Sequence, residues 1–242
     1  AERGWGTQRK TLSCENCGAS LNVAETALSL TCSFCGSNKV HLHEIGDDAI
    51  RPGAVIPFKI DSKSTRTRAY QWLGKGWFHP KELGNQALLD KFTGMYLPFW
   101  TFDSKILAEW RAEVGYERQE RYYDAGSKEW KTRTKIEWRW ESGTVNLFID
   151  DLTIPGTSHI RESILKEIYP FHYDDLVEYK ADYLAGWNAH NYDIALTDAW
   201  EQGKQEMREQ ARDACMKDIP SSHVRNFSLA ADFAEESWRY IL

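Results

Sequence analysis

Four of the five cysteines in this 242-residue chain form two copies of one motif. They are Cys14-Glu15-Asn16-Cys17-Gly18 and Cys32-Ser33-Phe34-Cys35-Gly36, with fourteen residues between the pairs. Thiolates bind soft and borderline metals, and two intervening residues let a tight turn aim both thiolates at one ion. The glycine after each pair can take a positive φ that most residues resist. Four thiolates complete a tetrahedron and leave no position for a catalytic water. The spacing therefore predicts one structural zinc ion on Cys14, Cys17, Cys32 and Cys35. An iron site of the rubredoxin type uses similar knuckles, and spacing does not separate the two metals. A redox C-x-x-C would sit singly at a strand-to-helix turn. Two disulfides would need an oxidising compartment, and the start of the chain, from Ala1 to Gly6, has no apolar signal core.

His41 and His43 lie beyond the second knuckle on the outward face of a short strand, and a saturated metal gives them no role as ligands. Cys215 falls on the apolar stripe of a long helix, the position of a buried and inert thiol. The remaining candidates for acid–base chemistry are Asp150-Asp151, His172 with Asp174 and Asp175, and His190 with Asp193. Such groups act only where they converge within hydrogen-bond reach. Neighbours in sequence do not show convergence, so strand ends and helix caps are the simpler reading. No G-x-S-x-G, P-loop or dinucleotide-binding glycine pattern occurs. No catalytic residue is assigned, and the chain is not expected to be an enzyme.

The elements that must position these groups follow from hydropathy. The cysteine pairs and their flanks make a zinc ribbon over 1–45, and the stretch from Gly46 to Gly53 reads as a linker. Residues 46–242 form the second predicted domain. Ala54 to Ile60 reads as a strand, and Ser62 or Ser64 as the cap of a helix carrying Ala69, Tyr70, Trp72 and Leu73. Ala108, Trp110, Ala112, Val114 and Tyr116 alternate with mostly charged residues. Trp130, Trp138 and Trp140 alternate with cations and glutamates in the same way. Period-two alternation predicts a long antiparallel hairpin over about 106–141, turning at Asp124–Lys128. At Ser142-Gly143 the apolar parity flips, as a bulge would cause. Further on, the spacing predicts three helices. One is capped by Ser158 and buries Ile160, Ile164, Leu165 and Ile168. The next starts at Asp174 or Asp175 with Leu176, Tyr179, Tyr183 and Leu184 inward, stopping at Gly186. The longest covers about Thr197 to Asp218. Strand character returns at Val224. The predicted fold is α+β: an N-terminal zinc ribbon followed by an antiparallel-sheet domain with packed helices.

The two C-x-x-C-G knuckles together with Met95-Tyr96-Leu97-Pro98-Phe99-Trp100-Thr101-Phe102-Asp103 resemble the bacterial zinc-ribbon proteins labelled TFIIB-type zinc-ribbon-containing, or loosely primosomal-helicase-like. Val55-Ile56-Pro57-Phe58 and Tyr183-Leu184-Ala185-Gly186 add to the likeness. The resemblance implies zinc at Cys14, Cys17, Cys32 and Cys35, an α+β domain after the ribbon, and a chain that continues past Leu242. It implies association with scaffold or membrane-stress systems, so that any contact with a membrane would come through partners.

Composition narrows the function classes. Formal charge is −6, against the basic surplus of proteins that coat nucleic acid. Hydrophobic residues at 42% and charged residues at 27% are the values of a soluble globular protein, expected in the cytoplasm. Lys131, Arg133, Lys135 and Arg139 interleave with tryptophans, the residue types that bind single-stranded nucleic acid. On one strand, however, alternating residues face opposite sides. The simpler reading places the tryptophans inward and the charges outward. The expected function is a non-enzymatic scaffold or interaction module working through protein–protein contacts. Nucleic-acid binding in replication or transcription is the alternative. The exposed side of the hairpin also offers a surface to another copy of the chain.

Overall fold

The computed structural model describes residues 4–5, 9–24, 31–44, 49–61, 64–65, 67–68, 71, 94–168, 170–185 and 187–242. Linker residues 46–48, the apolar residues Ala69, Tyr70, Trp72 and Leu73 of the predicted helix, and the stop at Gly186 lie outside these residues. The described elements are mostly strand. In chain order they are β1 (Arg9–Cys14), β2 (Ser20–Ala24), β3 (Val40–Glu44), β4 (Ala54–Val55), β5 (Met95–Tyr96), β6 (Phe99–Asp124), β7 (Glu129–Pro155), α1 (Glu162–Ile168), β8 (Val177–Glu178), β9 (Asn188–His190), α2 (Leu196–Asp218) and β10 (His223–Ile241). The strand orders are β3-β1-β2-β9-β5 and β7-β6-β10-β4-β8. Both sheets are mixed rather than antiparallel throughout: β5 runs parallel to β9, and β10 parallel to β4. The α+β class is as expected.

The chain forms two compact units. The first comprises Ala1–Thr101, Thr153–Ala199 and Arg239–Leu242. The cysteine-bearing strands belong to it through register: β1 pairs with β2 and β3, and β2 passes the sheet to β9 by Leu21↔His190 and Asn22↔Ala189. Arg9 ties the same strand to the loop before β9. Its guanidinium donates to the carbonyls of Leu184 at 3.2 Å and Trp187 at 3.0 Å and to Asn22. An aromatic core fills the rest. Trp100 is fully buried, donates its indole N–H to the Ile194 carbonyl at 3.0 Å, and packs on Tyr192 and Tyr240. Trp5 meets Tyr179 and Tyr240 edge-on, and the Tyr179 hydroxyl donates to the Trp5 carbonyl. The Leu97–Trp100 block is thus a core-building segment.

Local rules fail at four places in this unit. The strand after Ala54 ends at Val55 instead of Ile60. Asp61 serves as the cap in place of Ser62 or Ser64, accepting the Ser64 N–H at 2.8 Å. Between Asp174 and Leu184 there is no α-helix but two short 3-10 turns, Tyr173–Asp175 and Ala181–Leu184, separated by β8. Pairing of β8 with β4 and burial of Tyr179 and Leu184 override the helical spacing. Helix α1 begins at Glu162, because Ser158 bonds to Asp193 instead of capping it. Only Leu165 of its apolar residues is buried; Ile164 and Ile168 are exposed.

The second unit comprises Phe102–Leu152 and Trp200–Trp238. Here the hairpin forms as predicted but longer, and its turn is closed by Asp124, which accepts from the Gly126 N–H and the Ser127 hydroxyl. Ile106, Ala108, Trp110, Ala112 and Val114 are buried on one face of β6, with Met207, Ala211 and Cys215 of α2 buried in the same unit. Trp110 donates to Asp218 of α2 at 2.8 Å, and Phe102 packs on Trp200. At Gly143 any side chain would strike the Trp110 indole, a Cβ falling 2.6 Å from its Nε1. The parity of β7 flips as expected: Ile136 and Trp138 are half-buried, then Glu141, Gly143 and Val145. Gly143 itself takes no positive φ; Asp151, Asn226 and Glu235 do, each at 51°.

The tryptophans of β7 depart from the inward reading. Trp130 is 64% exposed and Trp140 53%. Arg121 lies over Trp130, Arg111 over Trp140 and Arg225 over the half-buried Trp138, at 5.9, 4.7 and 4.1 Å. These rings are covered by guanidinium planes, not by a core, a cation–π arrangement that suits partly hydrated rings.

Candidate metal centre

Cys14 ends β1, and a turn returns the chain to β2 with Cys17 on it. The two knuckles are built alike. The Gly18 N–H donates to the Cys14 carbonyl at 2.9 Å, and the Gly36 N–H to the Cys32 carbonyl at 2.8 Å. Both glycines have the positive φ expected of them, 75° and 72°. Cys14 Sγ lies 3.6 Å from Cys35 Sγ, and Cys17 Sγ lies 3.6 Å from Cys32 Sγ. All four sulfurs fall within 4.8 Å of one another. Zinc–thiolate bonds of about 2.3 Å in a tetrahedron require sulfur–sulfur edges of roughly 3.8 Å, so the donor set fits one tetrahedral ion. No disulfide joins them.

The thiols differ in electrostatic setting. Burial pushes Cys17 up to about 12 and raises Cys32 as well. At exposed Cys35 the Ser37 N–H and the Asn16 side chain stabilise the thiolate and bring it down to about 6. A divalent cation at the centre of the four sulfurs supplies the positive charge that stabilises all four thiolates together.

Behind the second knuckle sits a polar cluster that sequence reading found only in part. Asp193 accepts the Ser158 N–H at 2.9 Å and its hydroxyl at 2.7 Å, and faces His159 Nδ1 at 2.7 Å. Burial alone would raise the Asp193 carboxyl, but Ser158 and His159 hold it below the usual carboxylate range. His190 is fully buried, with Nδ1 on the Asn191 carbonyl and its ring edge-on to Phe34 at 4.8 Å. The two Ser158 donors and the His159 ion pair join residues 157–159 to Asp193, so the arrangement is a clamp. His159 was not among the candidate residues, since nothing in its immediate sequence marks it.

His190 is neutral in this setting because burial lowers its pKa below 6.5. A depressed histidine contributes stability that is present above its unfolded value of about 6.5 and is lost as pH falls below it. The thermal midpoint is therefore expected to fall between pH 7 and pH 5. His190→Gln should flatten that part of the profile, checked by parallel melts of the two proteins.

Among the other candidates only Asp150 and Asp151 gather with a further carboxylate, Asp103, all three within 4.8 Å of one another. Asp175 pairs with Lys59 at 2.5 Å, not with His172. Asp150 and Asp151 approach Asp103, but Asp103 already accepts the Asp151 N–H at 2.9 Å and the Ser237 hydroxyl at 2.6 Å. His41 is exposed and paired with Glu15 at 2.6 Å, on the outward face as predicted. Cys215 is buried, as its place on the helical stripe predicts, and burial raises its thiol. No described helix is long and apolar enough to cross a membrane.

Comparison with known proteins adds one likeness. Over 158 residues the chain is 26% identical to the uncharacterized protein YdjG of Bacillus subtilis (strain 168), covering 65% of this chain and 45% of that protein. The chain thus spans less than half the length of this relative. No family model matches, and no solved structure matches.

Proposed function

We propose that the chain is a bacterial, cytoplasmic interaction or scaffold module of the TFIIB-type zinc-ribbon kind. It holds one structural zinc ion on Cys14, Cys17, Cys32 and Cys35 and acts through protein–protein contacts. The observation that carries this reading is the four-thiol cluster, whose donors fill a tetrahedron and leave no open position for substrate or water. When bound, the ion cross-links the two knuckles; the residues around it hold shape. Asp193, His159 and His190 support that reading because each is engaged in packing or in joining loops. The ring-and-guanidinium surface of β7 supplies the docking face, since exposed tryptophan and arginine are the side chains that dominate protein interfaces.

Trp130 and Trp140 also favour a second reading, nucleic-acid binding, because both rings are more than half exposed beside cations. Against it, the neighbouring cations are engaged: Arg133 with Glu120 at 2.7 Å and Lys131 with Asp124. Titration with single-stranded DNA at low salt, followed by tryptophan fluorescence, separates the two. The protein reading predicts no binding; tight binding that weakens steeply with salt establishes the second. For the docking face, Trp130→Ala with Trp140→Ala should abolish cross-linking to the cellular partner. The thermal midpoint should change by only about 2 °C, since exposed substitutions cost at most about 0.5 kcal/mol. A large fall would make these rings structural.

A further inference from the structure

β7 ends its sheet, and no described strand pairs with its outer side. A free edge of 27 residues invites pairing with another chain, and proteins guard such edges with charge. From Glu129 to Glu141 this one is guarded, by Lys131, Arg133, Lys135, Glu137 and Arg139. From Ser142 through Ile149 it is not. Those eight residues carry no charge, are rich in strand formers, and include Phe148 at 63% exposure. Asp150 and Asp151 then close the window.

We propose that this unguarded window pairs with the same window of a second copy, antiparallel about a two-fold axis through Val145. The ends of the window select the occupant. Arg139 lies before it and Asp150-Asp151 after it, so antiparallel self-pairing brings Arg139 of each copy against the acidic end of the other, twice per dimer. Parallel pairing would align like charges. The register also keeps faces matched, because positions of equal parity share one side of a strand. Thr144 then opposes Asn146, and the exposed Phe148 ring lies over the small Ser142, all four being solvent-facing in the monomer. The interface is isologous and closes, which ends growth at two copies. It does not depend on the metal centre and holds whether or not the proposed protein partner exists.

Sedimentation equilibrium of the full metal-loaded chain tests it, from low micromolar to several hundred micromolar. The expected result is a reversible shift to twice the monomer mass. Phe148→Lys, at an exposed position that leaves the monomer intact, should weaken association about tenfold. Arg139→Asp should weaken it similarly, and Arg139→Asp with Asp151→Arg, the residue this register places opposite, should restore it. A monomer at every concentration overturns the proposal, as does a dimer indifferent to Phe148→Lys. A dimer that the charge swap fails to restore overturns the two-fold arrangement.

Discussion

Replacing Cys14 with serine is expected to release the metal and unfold the segment that carries both knuckles. The magnitude follows from linkage: a structural site does not exist in the unfolded chain, so its binding free energy is folding free energy. Apparent values are about 10–16 kcal/mol for zinc-finger peptides. Cys14 is buried between Ala19 and Cys32, so a serine there also leaves a hydroxyl in an apolar cluster. The loss should spread beyond the knuckles, because β1 and β2 pass their sheet to β9. Hydrogen exchange is the informative readout. In Cys14→Ser, amides of β1, β2 and β9 should lose protection, while the hairpin strands of the second unit keep theirs. Cys32→Ser should behave alike. A variant with one bound metal and unchanged protection would refute the four-thiolate assignment.

The second large effect is expected at Trp100. Trp100→Ala removes a fully buried indole, its hydrogen bond to Ile194 and its contacts with Tyr192 and Tyr240, for a loss of about 3–5 kcal/mol. Urea unfolding should show the midpoint falling. Trp100→Phe should recover part of it, since the ring stays and only the N–H donor and some volume are lost. Metal content is expected to stay at one ion per chain in Trp100→Phe. That result would separate the core role of the Leu97–Trp100 block from the metal centre.

The cysteine centre was legible because metal ligation constrains residue type, spacing and the following glycine at once. Cys14, Cys17 and Gly18 announce it without knowledge of the rest. The first strand of the hairpin was legible for a similar reason. Its apolar positions from Ala108 to Val114 repeat with the period of the strand, and one face is buried. The second strand shows where such patterns stop informing. Alternation from Trp130 to Trp140 marks two different faces but does not say which of them another layer covers. Arginines cover those rings here. From Leu176 to Leu184 the spacing was helical by coincidence. Tyr179 is held by its contact with Trp5 and Leu184 by burial, both supplied from distant segments. The clamp of Ser158, His159 and Asp193 was invisible for the same reason: convergence of segments far apart in the chain leaves no local trace.

The central claim is that the four cysteines form a closed, structural zinc–thiolate centre in a protein that binds rather than catalyses. Metal analysis of the purified full chain, combined with X-ray absorption at the metal edge, tests it most directly. The expected result is one zinc per chain with four sulfur neighbours at about 2.3 Å and no light-atom ligand. Iron, two disulfides in place of the metal, or a zinc shell with an oxygen neighbour would contradict it. The last of these would open a coordination position and, with it, the possibility of catalysis.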